Sequence, residues 1–255
     1  MLAAERRNLI LEKIHEDKKV VVSELSREYD VSEETIRRDL DRLEEEGHVT
    51  KSYGGAVLNE TNVLELPFNV RRRVNPAAKQ RIAELVSREI GENDHIFLDA
   101  STTSVFIARK IKQMKHLTVI TNSIENLLEL SDVTGWDIIS TGGFLKPGTM
   151  SLCGWKTAET LRSYHVDKAF LSCKGASMDQ GITDGNDETA GTKQAMIASA
   201  GKVYLVADST KFDKTEFSFI CEFDKIDAVI TDKEPDAAWT DFFRSKNIEV
   251  IYSAQ

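Results

Sequence analysis

From about residue 80 onward the chain repeats one arrangement. Short β-branched apolar runs recur at Ile96–Asp99, Leu117–Thr121, Asp137–Ser140, Ala169–Cys173, Val203–Ala207, Ala228–Thr231 and Ile248–Tyr252. Between most of them lie stretches of helical period: Ser104–Met114, Ser123–Leu130, Glu188–Ala200 and Ala237–Lys246. A run apolar on both sides of a strand must be covered on both faces, and intervening helices supply that cover. The alternation therefore predicts an α/β domain with a mostly parallel sheet over residues 80–255.

The first 58 residues follow a different rule. Leu9, Ile10 and Ile14 have helical spacing, Val20–Val22 reads as a short strand, and Ser23 opens a second helix with Leu25 and Tyr29 on its apolar side. Ser32 is a natural N-cap, followed by Glu33 and Glu34 in a first turn whose dipole favours acids. Around this third helix Ile36, Leu40 and Leu43 form one narrow stripe. Thr35, Arg38 and Arg42 lie broadly opposite, with Arg37 on the flank. After Gly47 an alternating stretch with Gly54-Gly55 reads as a two-stranded hairpin. This is the order of a winged helix-turn-helix domain, residues 1–58. Its third helix enters the major groove, where arginine meets guanine edges or phosphates. Ser32, Thr35, Arg37, Arg38 and Arg42, with Lys51, Ser52 and Tyr53 on the wing, are the candidate contacts to double-stranded DNA. Glu34, Asp39 and Asp41 are expected to repel misplaced phosphate. Residues 59–79, with Pro67, Pro76 and Arg71–Arg73, read as a linker.

A net charge of −9 opposes indiscriminate nucleic-acid binding without excluding a small organised surface. Cys153, Cys173 and Cys221 are too few and too scattered for a disulfide framework. His15, His48, His95, His116 and His165 lack metal-ligand spacing, so no metal or cofactor is expected. No segment reads as a secretory signal or a bilayer span, which fits a cytoplasmic protein. Trp136, Trp155 and Trp239 read as core or interface residues.

The stretch "VSEETIRRDLDRLEEEGHVTKSYGGAV" closely resembles the helix-turn-helix of the DeoR family of bacterial transcriptional regulators. The match runs through Ser32, Thr35, Ile36, Arg37, Arg38, Asp39, Leu40, Leu43, Gly47, Gly54, Gly55 and Ala56. It extends into "LDASTT", "TNS", "TGG", "GITDGNDETAGTKQAMI" and "ADSTKF", nearly the whole chain. The resemblance implies a second domain with the fold of ribose-5-phosphate isomerase and coenzyme A transferases. It also implies a small-molecule effector, a phosphorylated sugar, and repression of a carbohydrate-utilisation operon.

The residues themselves are compatible with that. Asp99 ends a strand, and Ser101, Thr102 and Thr103 precede a helix whose free N–H groups can hold an anion. Thr121, Asn122 and Ser123 repeat the arrangement, and Gly142 and Gly143 follow a third strand. Ligands of open α/β sheets bind outside the carboxyl ends of strands. Each piece has a plainer meaning: Ser and Thr cap helices, Gly-Gly turns the chain, and Lys193 lies on a solvated face. Lys174, Lys193, Asp208 and Lys211 complete the candidate effector site, the last two by resemblance. Lys174 implies a ligand with extra negative charge. Two readers on a repeated operator imply a homodimer or homotetramer. Two rival readings stay open. One is a sugar-phosphate isomerase using Asp99, Asp184 or Glu188 as base beside Lys193. The other is a constitutive DNA-binding scaffold with a vestigial pocket.

Overall fold

The computed structural model describes residues 1–59, 66–146 and 148–253. Residues 60–65 of the expected linker, Pro147 of the third loop and the side chains of His15 and Glu16 lie outside it. The chain divides into two compact units between Asn75 and Pro76.

The first unit runs α1 (Ala3–Asp17), β1 (Lys19–Val21), α2 (Val22–Tyr29), α3 (Glu33–Glu45), β2 (Val49–Ser52), β3 (Gly55–Leu58) and α4 (Phe68–Arg73). Its core gathers Ile10, Leu11 and Ile14 of α1, Leu25 of α2 and the stripe Ile36, Leu40 and Leu43 of α3. Helical period put these residues on single faces, and burying those faces together is what fixes the three helices. Two details differ from the sequence expectation. The second helix starts at Val22, without a serine cap, because β1 passes straight into it and Val22 is buried in the same core. The wing is three-stranded, in the order β1-β3-β2, because β1 pairs with the hairpin's second strand. That pairing brings the β1 backbone so close that a Cβ on Gly55 would fall on the Val20 carbonyl.

The expected linker is also corrected where it is described. Phe68 and Val70 of α4 are buried, Val70 in the first unit's core. Arg71 Nε donates to Leu66 O at 3.0 Å and Arg73 pairs with Glu12 at 2.9 Å. Residues 66–75 therefore belong to the first unit, and Pro76 opens the first helix of the second, a position where its missing N–H costs nothing.

The second unit runs α5 (Pro76–Glu89), β4 (His95–Leu98), α6 (Thr102–Ile111), β5 (Thr118–Thr121), α7 (Ile124–Leu130), β6 (Asp137–Ser140), β7 (Phe144–Lys146), β8 (Ser151–Cys153), α8 (Trp155–Arg162) and β9 (Val166–Leu171). It continues with β10 (Gly175–Ser177), β11 (Gly181–Asp184), α9 (Asp187–Ala198), β12 (Ala200–Val206), β13 (Ser218–Cys221), β14 (Ala228–Thr231), α10 (Ala237–Ser245) and β15 (Glu249–Tyr252). The seven apolar runs become one sheet, ordered β15-β14-β12-β9-β4-β5-β6, with every neighbouring pair parallel. Alternate residues feed two cores. Ile96 and Leu98 join Ile82, Val86, Ile107 and Ile111 on one face. Phe97 joins Leu161, Met196, Trp239 and Phe243 on the other. Trp136 is half-buried and donates its indole N–H to Met114 O at 3.1 Å, whereas Trp155 is exposed. Two small antiparallel sheets, β7-β8 and β10-β11-β13, stand outside the expected pattern. From β4 the sheet order runs one way through β5 and β6, and the other way through β9, β12, β14 and β15. The reversal between β4 and β9 is where an open α/β sheet leaves a crevice.

Candidate functional site

On the first unit, Ser32 caps α3: its hydroxyl accepts the Thr35 N–H at 3.2 Å and lies 2.9 Å from the Thr35 hydroxyl. Burying Ile36, Leu40 and Leu43 turns Arg37, Arg38 and Arg42 outward; the Arg38 side chain is 77% exposed. None of the three guanidinium groups is free of partners. Arg37 Nη2 meets Glu33 at 2.6 Å, and Arg38 Nε meets Glu34 at 3.3 Å. Arg42 meets Glu46 at 2.9 Å and Glu45 at 3.2 Å. On the wing, Lys51 pairs with Asp41, and its backbone N–H donates to Glu44 at 2.8 Å. Ser52 and Tyr53 are exposed, Tyr53 fully so at the hairpin tip.

Asp39 corrects the expectation that it stands among the DNA-facing acids. It is buried, with Arg6 Nε at 2.5 Å from Oδ2 and Arg7 at 3.7 Å from Oδ1. It ties α1 to α3 from inside. A buried carboxylate is stable only when paired in this way.

On the second unit, the strand ends meet around the sheet's reversal point. Asp99, buried, accepts the Ser101 N–H at 3.0 Å on Oδ1 and the Ser172 N–H at 2.8 Å on Oδ2. Ser101 caps α6 by accepting the Ser104 N–H at 3.0 Å, and Ser123 caps α7 by accepting the Asn126 N–H at 3.1 Å. Thr102 and Thr103 are buried in the first turn of α6, and their N–H groups meet no acceptor among the described residues. Thr121 donates its hydroxyl to Leu98 O at 2.7 Å. Asn122 donates to Leu152 O at 3.0 Å, and its buried Oδ1 has no partner among the described residues. Gly142 and Gly143 have φ of 63° and 112°. A Cβ on Gly143 would sit 2.5 Å from Cys153 O, so this glycine keeps the chain close to β8.

Lys193 is not on a solvated face. It is buried, donating to Ser172 O at 2.6 Å and Asp184 Oδ2 at 2.5 Å, with Asp99 Oδ2 at 3.5 Å. Burial alone would lower the ammonium's pKa, but Asp184 and Asp99 raise it overall. Burial likewise would raise Asp184, but Lys193 beside it holds the carboxyl below its ordinary range. Both groups are therefore charged at neutral pH. Lys174 is half-buried over Gly185 and helps to hold Asp184 low, so its charge is partly answered from within the protein. Asp208 caps the turn that follows β12, accepting the Thr210 N–H at 3.0 Å. Lys211, in that turn, is half-buried, and its ammonium makes no hydrogen bond or ion pair among the described residues. It does act electrostatically on the buried Cys173.

Asp99, Lys193 and the backbone of Ser172 thus come together. The Thr121–Ser123 loop joins them through Asn126, which donates to Asp99 O at 3.0 Å and Thr121 Oγ1 at 3.1 Å. Among the described residues Gly142 and Gly143 make no hydrogen bond to that group; the Gly142 N–H donates to Ser140 Oγ at 3.3 Å and its carbonyl accepts from Thr157 Oγ1 at 2.7 Å. Ser172 and Asn126 escaped the sequence reading, and Asp184 entered only as a possible base. Two clefts lie elsewhere. One of about 440 Å³ is lined by His95, Asp137, Tyr164 and His165, and one of about 490 Å³ by Gln194, Ile197, Phe219 and Cys221. Among the described residues no group of histidine, cysteine and carboxylate side chains could hold a metal ion, and no helix is long and apolar enough to cross a membrane.

The chain matches the description "DeoR-like helix-turn-helix domain" over residues 6–62 and "DeoR C terminal sensor domain" over residues 74–233. It is 39% identical over 250 residues to the uncharacterized HTH-type transcriptional regulator YulB of Bacillus subtilis (strain 168), covering 98% of this chain and 96% of that protein. It is 33% identical over 255 residues to the HTH-type transcriptional repressor GlcR of the same organism, covering 100% and 98%. A solved ribose 5-phosphate isomerase from Methanocaldococcus jannaschii shares 14% identity at a TM-score of 0.41, over 54% of this chain and 55% of that one.

Proposed function

The chain belongs to the DeoR family of DNA-binding transcriptional regulators, and on that premise we propose that it represses a carbohydrate-utilisation operon under the control of a phosphorylated sugar. The sugar binds at the carboxyl ends of the strands in the second unit, and a homodimer or homotetramer presents paired readers to the operator. The observation that carries the effector reading is the set of donors left open beside otherwise satisfied loops. The N–H groups of Thr102 and Thr103 at the start of α6 and the ammonium of Lys211 have no acceptor among the described residues. A phosphate supplies acceptors for both kinds of donor. GlcR, similar over the whole chain, is described as a repressor, which favours that sign of regulation here.

The same geometry disfavours the isomerase reading. A general base must reach its substrate, and it works best with a pKa near the working pH. Glu188 is exposed and paired with Lys146 at 2.8 Å. Asp99 and Asp184 are buried against Lys193, which outweighs that burial and holds Asp184 below its ordinary range. The cluster holds the crevice in shape.

The test uses the full-length protein and a duplex that it selects from a random-sequence library. Duplex affinity is measured with a panel of phosphorylated sugars and their unphosphorylated counterparts. A coupling of about 1–3 kcal/mol predicts that one sugar phosphate shifts the affinity about 5- to 150-fold while its unphosphorylated form does not. A panel that leaves affinity unchanged, with no phosphorylated molecule co-purifying in native mass spectrometry, contradicts the proposal.

A further inference from the structure

Each of the four candidate DNA-contacting cations of the third helix and the wing is held by a carboxylate of the same unit. Arg37 is paired with Glu33, Arg38 with Glu34, Arg42 with Glu45 and Glu46, and Lys51 with Asp41. From Glu33 to Tyr53 there are seven carboxylates and four cations. Only Asp39 is withdrawn from the surface, to Arg6 and Arg7. A surface built to attract phosphate has the opposite balance.

We propose that Glu33 and Glu34 are specificity residues of the reader: by holding Arg37 and Arg38 in ion pairs along the helix, they weaken binding to non-operator DNA more than to the operator. This rests on the reading of α3 as the helix that meets DNA.

Binding to arbitrary DNA is driven by neutralising phosphates and releasing their counterions. An arginine already facing a glutamate brings no net charge to a phosphate, and the displaced carboxylate is left beside the DNA. A matched site gives directional compensation, because a guanine edge accepts two hydrogen bonds from one guanidinium. Only such a site repays the exchange of partner. The position of the acids matters too. The N-terminal residues of a recognition helix lie nearest the bases, and Glu33 and Glu34 occupy the first turn of α3. Fold stability needs them only modestly: an acid in the first turn of a helix makes a small contribution through the dipole, the helix is already capped by Ser32 and fixed by its buried stripe, and exposed ion pairs contribute little.

The experiment measures the affinity of the full-length protein across a salt series. One duplex is selected by the wild-type chain from a random library, and the other is a shuffled duplex of equal length and composition. The isosteric double variant Glu33→Gln/Glu34→Gln is expected to bind the shuffled duplex about 3- to 10-fold more tightly. Its salt slope is expected to steepen by up to about 2, with a smaller gain on the selected duplex. Glu34→Gln in an Arg38→Ala background is expected to lose most of its effect, because the acid acts through that arginine. Unchanged affinity for the shuffled duplex overturns the inference, and so does an equal gain on both duplexes. Loss of the selected duplex alone would mean that an acid reads a base directly, which also overturns it. If Arg38→Ala leaves selected-duplex affinity intact while Glu34→Gln still tightens the shuffled duplex, the placement of Arg38 fails and the inference with it. If Arg38→Ala weakens the selected duplex and the glutamine variants do nothing, only the inference fails.

Discussion

The Asp99 carboxylate accepts the Ser172 backbone N–H at 2.8 Å, joining β4 to β9 across the point where the sheet order reverses. From sequence Asp99 reads as a candidate effector contact at a strand end. Its burial and its second bond, to the Ser101 N–H, give it a structural duty as well. Asp99→Ala is therefore expected to destabilise the second unit by about 2–4 kcal/mol, along with loss of any effector response. Urea unfolding measures the first effect and duplex binding with effector the second.

The Lys193–Asp184 pair predicts a pH dependence. Asp184 is held below its ordinary 3.8, so its contribution is full above that pH and is lost as pH falls through the lowered value. Lys193 is raised above its ordinary 10.5, so its contribution is full below that pH and is lost only as pH rises beyond it. The pair's stabilisation should be level from about pH 4 to about pH 10 and should fall at the acid end. Thermal melts of wild type and Asp184→Asn across pH check this: the variant should melt lower at neutral pH and converge on wild type in acid.

Arg6 and Arg38 should separate stability from binding. Arg6→Ala leaves Asp39 buried with only the more distant Arg7, an expected cost of about 3–5 kcal/mol to the first unit. Arg38→Ala removes an exposed side chain and should change stability by no more than about 0.5 kcal/mol. Chemical denaturation of the two variants makes the comparison.

Gly143→Ala places a Cβ 2.5 Å from Cys153 O at a φ of 112°, whereas at Gly142 the added atom meets nothing within 4 Å. Gly143→Ala should destabilise by at least about 1–3 kcal/mol, and Gly142→Ala by less. Melting temperatures of the two variants decide it.

The parallel sheet was legible because its inner strands are apolar runs buried over most of their length, and the edge strands β6 and β15, half-exposed, keep the same short apolar pattern. The antiparallel sheets were not, since β7, β8 and β10 are three residues long and too short to display a period. The solvated-face alternative for Lys193 could not be dismissed from sequence, because α9 is built of small residues such as Ala190, Gly191 and Ala195, and without a bulky stripe no face announces itself as inner. Asp39 could have been found. At about 100° per residue it lies about 60° from Ile36 and about 40° from Leu43, on the flank of the stripe that had to be buried and near enough to be drawn in with it. The helix at Phe68–Arg73 was read as linker because Pro67, Pro76 and three arginines masked two apolar anchors, Phe68 and Val70.

The three native cysteines are buried, so a cysteine introduced at half-exposed Thr35 can be labelled selectively. An iron–EDTA group tethered at Thr35→Cys reports where the N-terminal end of α3 lies on the selected duplex. The account predicts strand cleavage focused within each half-site, and none above background from a label at exposed Gln80 of the second unit. Cleavage no stronger from position 35 than from position 80, with the labelled proteins still bound to the duplex, would contradict the assignment of α3 as the DNA reader.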